Sequence, residues 1–344
     1  MGIMSEVRTI GLDLAKQVFQ VHGADASGSA VFRKQLRRGQ VLKFFSGLPR
    51  CLVAMEACGS SHFWAREIGR LGHEVRMIPP AYVKPFLKRQ KNDAADAEAI
   101  CEAAQRPTMR FVSVKSEETQ GAVVALRSRD LLIRQRTQTI NALRGHLAEF
   151  GKVVPQGSTN ASKLIAMVED PQTALPEAAR TSLRFLTAIL SQLTDQIRAL
   201  DAQIVRQARE DETSRRLMTI PGVGPLIAAA LVALAPSPET FKRGRDFAAW
   251  LGLVPRQHST GGKQRLGSTT KMGERSLRRL LIMGANSVVV WRARKGAAPG
   301  TWLAKMLAHK PPMLVRVALA NKMARIVWAI MARGEIYRAP VAVA

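Results

Sequence analysis

The sequence predicts an α/β domain, then a long helical middle, then a mostly helical and strongly basic C-terminal region. Three observations carry this reading. The first hundred residues alternate short apolar runs with helical patterns, two long segments repeat apolar residues at helical spacing, and positive charge gathers in the last third. The chain has 344 residues and a net charge of +26, with a pI near 11.2. That length suggests two or three domains, each with its own core. With 47% of residues hydrophobic, this is a folded chain and not a disordered polycation.

Taken in order, residues 7–13 form a short apolar run that ends in a carboxylate. Residues 18–23 read as a second strand after a turn at Ala15-Lys16, and residues 29–34 as a third, so three antiparallel strands open the domain. Residues 39–48 look helical, and residues 51–56 are another buried strand ending in a carboxylate. Residues 60–71 read as a helix capped by Ser60 or Ser61. A strand at 73–78 is stopped by Pro79-Pro80, and residues 93–104 form a helix rich in alanine and acid. The order β-β-β-α-β-α-β-α predicts a mixed sheet with helices on its faces. From 116 to 150 the pattern is helical, with Val123, Leu126, Leu131, Ile140, Leu143 and Leu147 near helical spacing. Pro155, Gly157 and Pro171 then predict a break within 151–175. In residues 177–216 the apolar positions Leu183, Leu186, Leu190, Leu193, Ile197, Leu200 and Ile204 step alternately by three and four. That stripe is compatible with a helical hairpin, an intermolecular coiled coil or an intramolecular bundle. The expected domains are residues 1–112, 113–212 and 213–344.

Charge is uneven along the chain. Residues 1–105 hold 15 basic and 10 acidic side chains, residues 106–235 hold 17 and 12, and residues 236–344 hold 20 and 4. The last third therefore carries the field, and a nucleic acid is its expected partner. This region opens with Ile220-Pro221-Gly222-Val223-Gly224-Pro225. Gly-x-Gly between helices allows a tight turn whose amides, at the next helix's N-terminus, can hold a phosphate. Gly222 and Gly224 are thus nucleic-acid-binding candidates in a helix-hairpin-helix-like turn.

Several classes are excluded. Cys51, Cys58 and Cys101 form no Cys-x-x-Cys pair, which disfavours a zinc knuckle, a disulfide scaffold and a redox motif. No signal peptide is visible in residues 1–13, and the most apolar window, residues 227–234, is too short to span a bilayer. A cytoplasmic protein is expected, with no membrane contact. No His-x-His pair exists for a metal-dependent nickase. Tyr82 follows two prolines and Tyr337 lies in a tail, so neither reads as a DNA-cleaving nucleophile. Aromatic content of 5% argues against an RNA module that stacks bases on a sheet.

Carboxylates stand where a nuclease-like sheet would put metal ligands. Asp13 ends the first strand, Glu56 ends the fourth, and Asp93 and Asp96 lie three apart on one helix face. Four converging carboxylates would repel and raise one another's pKa values unless divalent cations neutralised them. Oxygen-only ligands select Mg²⁺ or Mn²⁺. Singly, each has a plainer reading: Asp13 as a turn cap, Glu56 paired with Lys16 or Arg66, Asp93 as a helix N-cap.

The motifs Gly11-Leu12-Asp13, Ala54-Met55-Glu56 and Lys91-Asn92-Asp93-Ala94-Ala95-Asp96-Ala97 resemble those of the DEDD transposases of bridge-RNA-guided insertion sequences. Similar in order are Ile220-Pro221-Gly222-Val223-Gly224, Trp250-Leu251-Gly252-Leu253-Val254-Pro255-Arg256-Gln257 and His258-Ser259-Thr260-Gly261-Gly262-Lys263. Lys271-Met272-Gly273, Leu277-Arg278-Arg279-Leu280-Leu281 and Ala320-Asn321-Lys322-Met323-Ala324-Arg325 complete the series. The resemblance covers nearly the whole chain.

It implies a RuvC-like ribonuclease-H fold in residues 1–112, a helical coiled-coil linker in 113–212, and a C-terminal transposase domain in 213–344. It further implies carboxylates that bind Mg²⁺, and a serine that attacks the DNA phosphodiester. The two halves of the active site would come from different subunits of a homo-tetramer, a dimer of dimers. A structured guide RNA would pair with target and donor double-stranded DNA. On this resemblance Ser259 is the nucleophile, with Thr260 the alternative. Its turn carries Gly261 and Gly262, which let the backbone approach a phosphate. Arg256, Lys263, Arg265, Lys271 and Arg275 are candidate contacts to phosphate, followed by Arg278, Arg279, Arg292, Arg294, Lys295 and Arg316. His258 adjoins the proposed nucleophile and is placed to assist proton transfer. Ser268 and Thr269 stand where many relatives carry Arg and Ile. A metal nuclease with no covalent intermediate and a non-catalytic nucleic-acid-binding protein are the rival readings.

Overall fold

A computed structural model describes residues 6–88, 93–296 and 300–339. Lys91 and Asn92 of the acidic motif lie outside the described residues, as do residues 1–5 of the stretch read for a signal peptide. The chain divides into two compact units, residues 1–117 and 118–344.

The first unit is built on a five-stranded mixed sheet of order β3-β2-β1-β4-β5. Its strands are β1 (Thr9–Asp13), β2 (Val18–Ala24), β3 (Ala30–Arg37), β4 (Leu52–Glu56) and β5 (Glu74–Ile78). The first three are antiparallel, as the sequence predicts, while β4 runs parallel to β1 and β5 parallel to β4. The helices are α1 (Val41–Ser46), α2 (Ser61–Arg70), α3 (Pro80–Val83) and α4 (Asp93–Ala104).

Alternation sorts the strand residues between the two faces. Ile10, Leu12, Phe19, Val21, Leu36, Val53 and Met55 share one core with Phe45 of α1 and with Trp64 and Ile68 of α2. Ala54 and Ile78 pack on the other face with Ala99, Ile100, Ala103 and Ala104 of α4. Neither serine caps α2 with its side chain: the Ser61 hydroxyl bonds back to the preceding turn, accepting from Cys58 N at 3.2 Å and donating to Cys58 O at 2.9 Å. Ser60, the N-cap by position, makes no side-chain cap.

The second unit opens with a helical hairpin, α5 (Glu117–Glu149) and α7 (Glu177–Glu210), with α6 (Ala161–Glu169) between them. Ile140, Leu143 and Leu147 share a core with Leu164 and Val168 of α6 and with Leu183 and Leu190 of α7. Arg129 pairs with Asp201 farther along, so the two long helices run antiparallel. The break expected within 151–175 is found, since α5 ends at Glu149 and α7 begins at Glu177; α6 lies inside it with Leu164 and Val168 fully buried, flanked by the prolines and glycine. One expectation is corrected here. The helix expected to reach residue 216 ends at Glu210, where Asp211 accepts from Ser214 N at 2.6 Å and caps α8 (Glu212–Leu217). Leu131, counted in the apolar stripe, faces outward.

A cluster around α9 (Pro225–Leu234), α10 (Gly244–Trp250), α11 (Arg275–Lys295) and α13 (Pro312–Arg333) forms the second core of this unit, with Val123, Leu126 and Ile204 of the hairpin. Between α10 and α11 stands a two-stranded ribbon, β6 (Pro255–Gln257) and β7 (Leu266–Thr269), which the helical reading of this region did not foresee. The helix α12 (Trp302–His309) precedes α13. Tyr337 is pinned, its N–H donating to Thr219 Oγ1 at 2.9 Å. No helix among the described residues is long and apolar enough to cross a membrane.

Candidate active site

Asp13 and Glu56 follow directly on the paired residues Leu12 and Met55 of two neighbouring parallel strands, so both stand at one edge of the sheet. Alternation puts both on the face covered by α4. That helix delivers Asp93 and Asp96 from its first turn. Ligand oxygens of Asp13, Asp93 and Asp96 all lie within 4.8 Å of one another.

Gly11 explains how α4 comes so near. It lies two residues before Asp13 on the same face, and a Cβ there would sit 2.7 Å from Cys101 N and would overlap Ala97 O. The helix therefore rests on bare backbone. Alanines at 97, 99, 103 and 104 continue the small-residue face.

The electrostatics fit a cation site. Burial, then the charges of Asp96, Asp93 and Glu56, push the Asp13 carboxyl up from 3.8 to about 6. Burial first, and Asp96 second, also raise Glu56. Among the described residues none of the four carboxylates is paired with Lys or Arg, so the plainer pairing of Glu56 with Lys16 or Arg66 is not found. Three clustered carboxylates without a cationic partner, with Glu56 near enough for its charge to raise Asp13, fit a hard divalent ion.

The remaining candidates lie in the second unit. Ser259 and Thr260 are exposed at the tip of the β6–β7 ribbon, next to Gly261 and Gly262, whose φ values are 55° and 77°. The turn closes with Lys263 N donating to Thr260 O at 3.1 Å, and His258 N donates to Arg265 O at 2.8 Å. Arg256, Lys263, Arg265, Lys271 and Arg275 are exposed and make no ion pair among the described residues.

Arg278 and Arg279 are engaged within the unit. Arg278 donates to Leu251 O at 3.0 Å and to Met272 O at 2.7 Å, and Arg279 grips both carboxylate oxygens of Asp130 at 2.7 and 2.8 Å. Gly222, at φ 87°, packs against α11: a Cβ there would meet Gly284 O at 2.5 Å. Gly224 is the N-cap of α9, whose first residue is Pro225 and offers no N–H.

Asn321 donates to Leu253 O at 3.1 Å, holding the base of the ribbon. Gly11 and Asn321 both stand in the quoted motifs, but the sequence assigned neither a role, and the structure shows them as positioning residues. The signal for Gly11 was a glycine at the same strand parity as Asp13, opposite an alanine-rich helix.

Comparison with known proteins agrees with this architecture. Residues 10–151 match a transposase family model, the DEDD transposase domain of IS110-type elements, and residues 214–299 match the transposase IS116/IS110/IS902 family. The chain is 51% identical to a probable family 20 transposase of Pseudomonas aeruginosa, covering 96% of this chain and 98% of that protein. It is 38% identical to the transposase for insertion sequence element IS1328 of Yersinia enterocolitica, over 97% of this chain and 99% of the relative. With the transposase for IS1111A of Coxiella burnetii it shares 35% identity, over 97% and 92%.

A mixed sheet with a carboxylate cluster at its edge, in such company, defines an insertion-sequence transposase, an enzyme that cleaves and rejoins DNA. The chain belongs to the IS110/IS116/IS902 transposase family, and its residues 10–151 carry the DEDD domain, which implies use of a divalent metal ion.

Proposed function

We propose that this transposase cuts and exchanges DNA strands through a serine nucleophile, guided by a structured RNA and acting as a homo-tetramer. Asp13, Asp93 and Asp96, with Glu56 beside them, are the residues that would hold Mg²⁺ or Mn²⁺. Held by these carboxylates, such an ion would supply Lewis-acid stabilisation of negative charge during strand cleavage. The strand ends fix two of the donors and one helical turn fixes the other two.

Ser259 Oγ attacks phosphorus. Its O–P bond forms, the P–O bond to one sugar breaks, and the displaced sugar oxygen takes up a proton as the serine gives one up. His258 lies next in the chain to accept it. Arg256, Lys263, Arg265, Lys271 and Arg275 offset the charge that builds on the phosphate. Guide pairing would choose the sequences, leaving the protein mainly backbone contacts to DNA in the bacterial nucleoid. Exposed apolar side chains on the hairpin, Leu131, Phe185 and Ile189 among them, offer a surface to another protomer.

The observation that carries the reading is the unpaired carboxylate cluster in a chain of this transposase family. It also supports the second reading, hydrolysis by a metal nuclease, and one preparation separates the two. The protein is purified with its bound RNA and given DNA bearing the ends of the element. One discrete RNA, a mass of four protomers, and a covalent protein–DNA adduct in wild type and Thr260→Ala but not in Ser259→Ala are expected. Cleavage without an adduct would establish hydrolysis, and a smear of cellular RNA would remove the guide.

A further inference from the structure

The sheet face that carries Asp13 is only partly covered by α4. Residues paired across strands share a face, so three rows run over this one. Gly11, His22 and Arg33 form the first, Asp13, Gln20 and Gln35 the second, and Val18 with Arg37 the third. The helix lies on the first row, where Ala97 and Cys101 meet Gly11 and His22 is buried.

Beyond Asp13 the second and third rows are open. Gln20 is half-buried, whereas Gln35, Arg37 and Val18 are exposed. With strands about 4.8 Å apart, Gln20 and Gln35 stand roughly 5 and 10 Å from Asp13 along a line perpendicular to the strands.

The side chains on this open face suit a sugar–phosphate backbone. Each glutamine amide offers two donors and an acceptor, and a guanidinium matches a phosphate with two parallel N–H groups. Arg33 in the first row is committed elsewhere: it bonds Glu98 at 2.8 Å, and Lys88 shares the same carboxylate at 2.8 Å. Arg37 makes no ion pair among the described residues. Just past it, Arg38 lies over the Trp64 ring at 5.0 Å and reaches Lys16 O at 3.4 Å, in the turn that follows Asp13. The basic end of β3 is thereby fixed beside the acidic edge.

We propose that the open face formed by Gln20, Gln35 and Arg37 is the platform on which the sugar–phosphate backbone of a DNA strand lies as it passes the carboxylates. The proposal rests on the reading of Asp13 and its neighbours as the cleavage site. An edge strand also gains from exposed charge simply by resisting edge-to-edge pairing, and that plainer role requires no DNA contact.

The test uses full-length protein with its bound RNA and a labelled single-stranded 20-mer DNA, titrated in EDTA at several salt concentrations. A single-strand phosphate contact contributes about 0.7 to the log–log salt slope. Arg37→Gln is therefore expected to lower the slope by about 0.7 and to weaken binding about eightfold at 50 mM salt and about threefold at 200 mM. Arg37→Lys should restore the slope.

A photo-crosslinking phenylalanine analogue in place of Gln35 should attach to the DNA. An unchanged slope in Arg37→Gln, or a crosslink that forms only with the bound RNA, overturns the platform. Strand cleavage by Asp13→Asn is measured separately. If that variant still cuts, the cleavage-site reading fails, while the slope and crosslink still decide whether this face binds DNA.

Discussion

At the scale of single residues, Asp13 stores a pH dependence. Its folded-state pKa of about 6 lies above the ordinary 3.8, so folding takes up a proton through this range. Without divalent ions, the contribution of this carboxyl is favourable below about pH 4 and is lost as the pH rises through 6. Asp13→Asn removes the charge and keeps the shape. The metal-free variant should therefore melt above wild type at pH 8 and close to it at pH 4, as thermal denaturation followed by circular dichroism will report. Wild type melting as high as the variant at pH 8 would contradict the repulsion. Serine 259 is a different case. Its hydroxyl is exposed on a glycine turn and makes no hydrogen bond among the described residues, so the proposal of a nucleophile there rests on its neighbours in sequence.

Among elements, α4 is the piece on which the acidic site depends. Its approach requires Gly11 to be without a side chain, because the backbone of Ala97 and Cys101 occupies that space. Gly11→Ala should destabilise the protein by about 1–3 kcal/mol through overpacking. It should also raise the Mg²⁺ concentration needed for half-maximal cleavage, since Asp93 and Asp96 ride on the displaced helix. Titration of cleavage against Mg²⁺ checks this, and an unchanged requirement would mean that the helix start is placed by something else. The ribbon depends on glycine in the same way. Gly252, at φ 70°, and Gly273, at φ 74°, press against the backbone of Met272 and Trp250, and Lys271 N donates to Gly252 O at 3.2 Å. This clasp, with Asn321 on Leu253 O, fixes the base from which Ser259 projects.

For the whole molecule the governing quantity is the charge of +26. Most of the exposed cations among the described residues form no ion pair shown in the structure, so DNA binding should be dominated by counterion release. Association with a duplex of arbitrary sequence is expected to weaken at least about a hundredfold between 50 and 200 mM monovalent salt, the response of several simultaneous phosphate contacts. A binding titration by fluorescence anisotropy measures this, and a flat response would show that the basic surface is not the contact surface. The individual cations are not equivalent. Arg278 and Arg279, adjacent in a basic motif, spend their hydrogen bonds on carbonyls and on Asp130.

The order of elements along the first unit, the three opening antiparallel strands, the end of α4 and the approach of Asp13, Asp93 and Asp96 were legible in the sequence. They depend on local patterns: alternation along strands, proline stops, and acids at the ends of apolar runs. The family itself was legible from motifs in order along nearly the whole chain. What depended on distant contacts was not. The helix α6 forms because Leu164 and Val168 find the hairpin core. The helix α7 ends at Glu210 because Asp211 turns to cap its successor. The ribbon stands because glycines far from its tip let backbones touch. Whether an arginine faces phosphate or an aspartate was decided only by folding, since residue type sets what a side chain can bond and the tertiary structure sets what it meets.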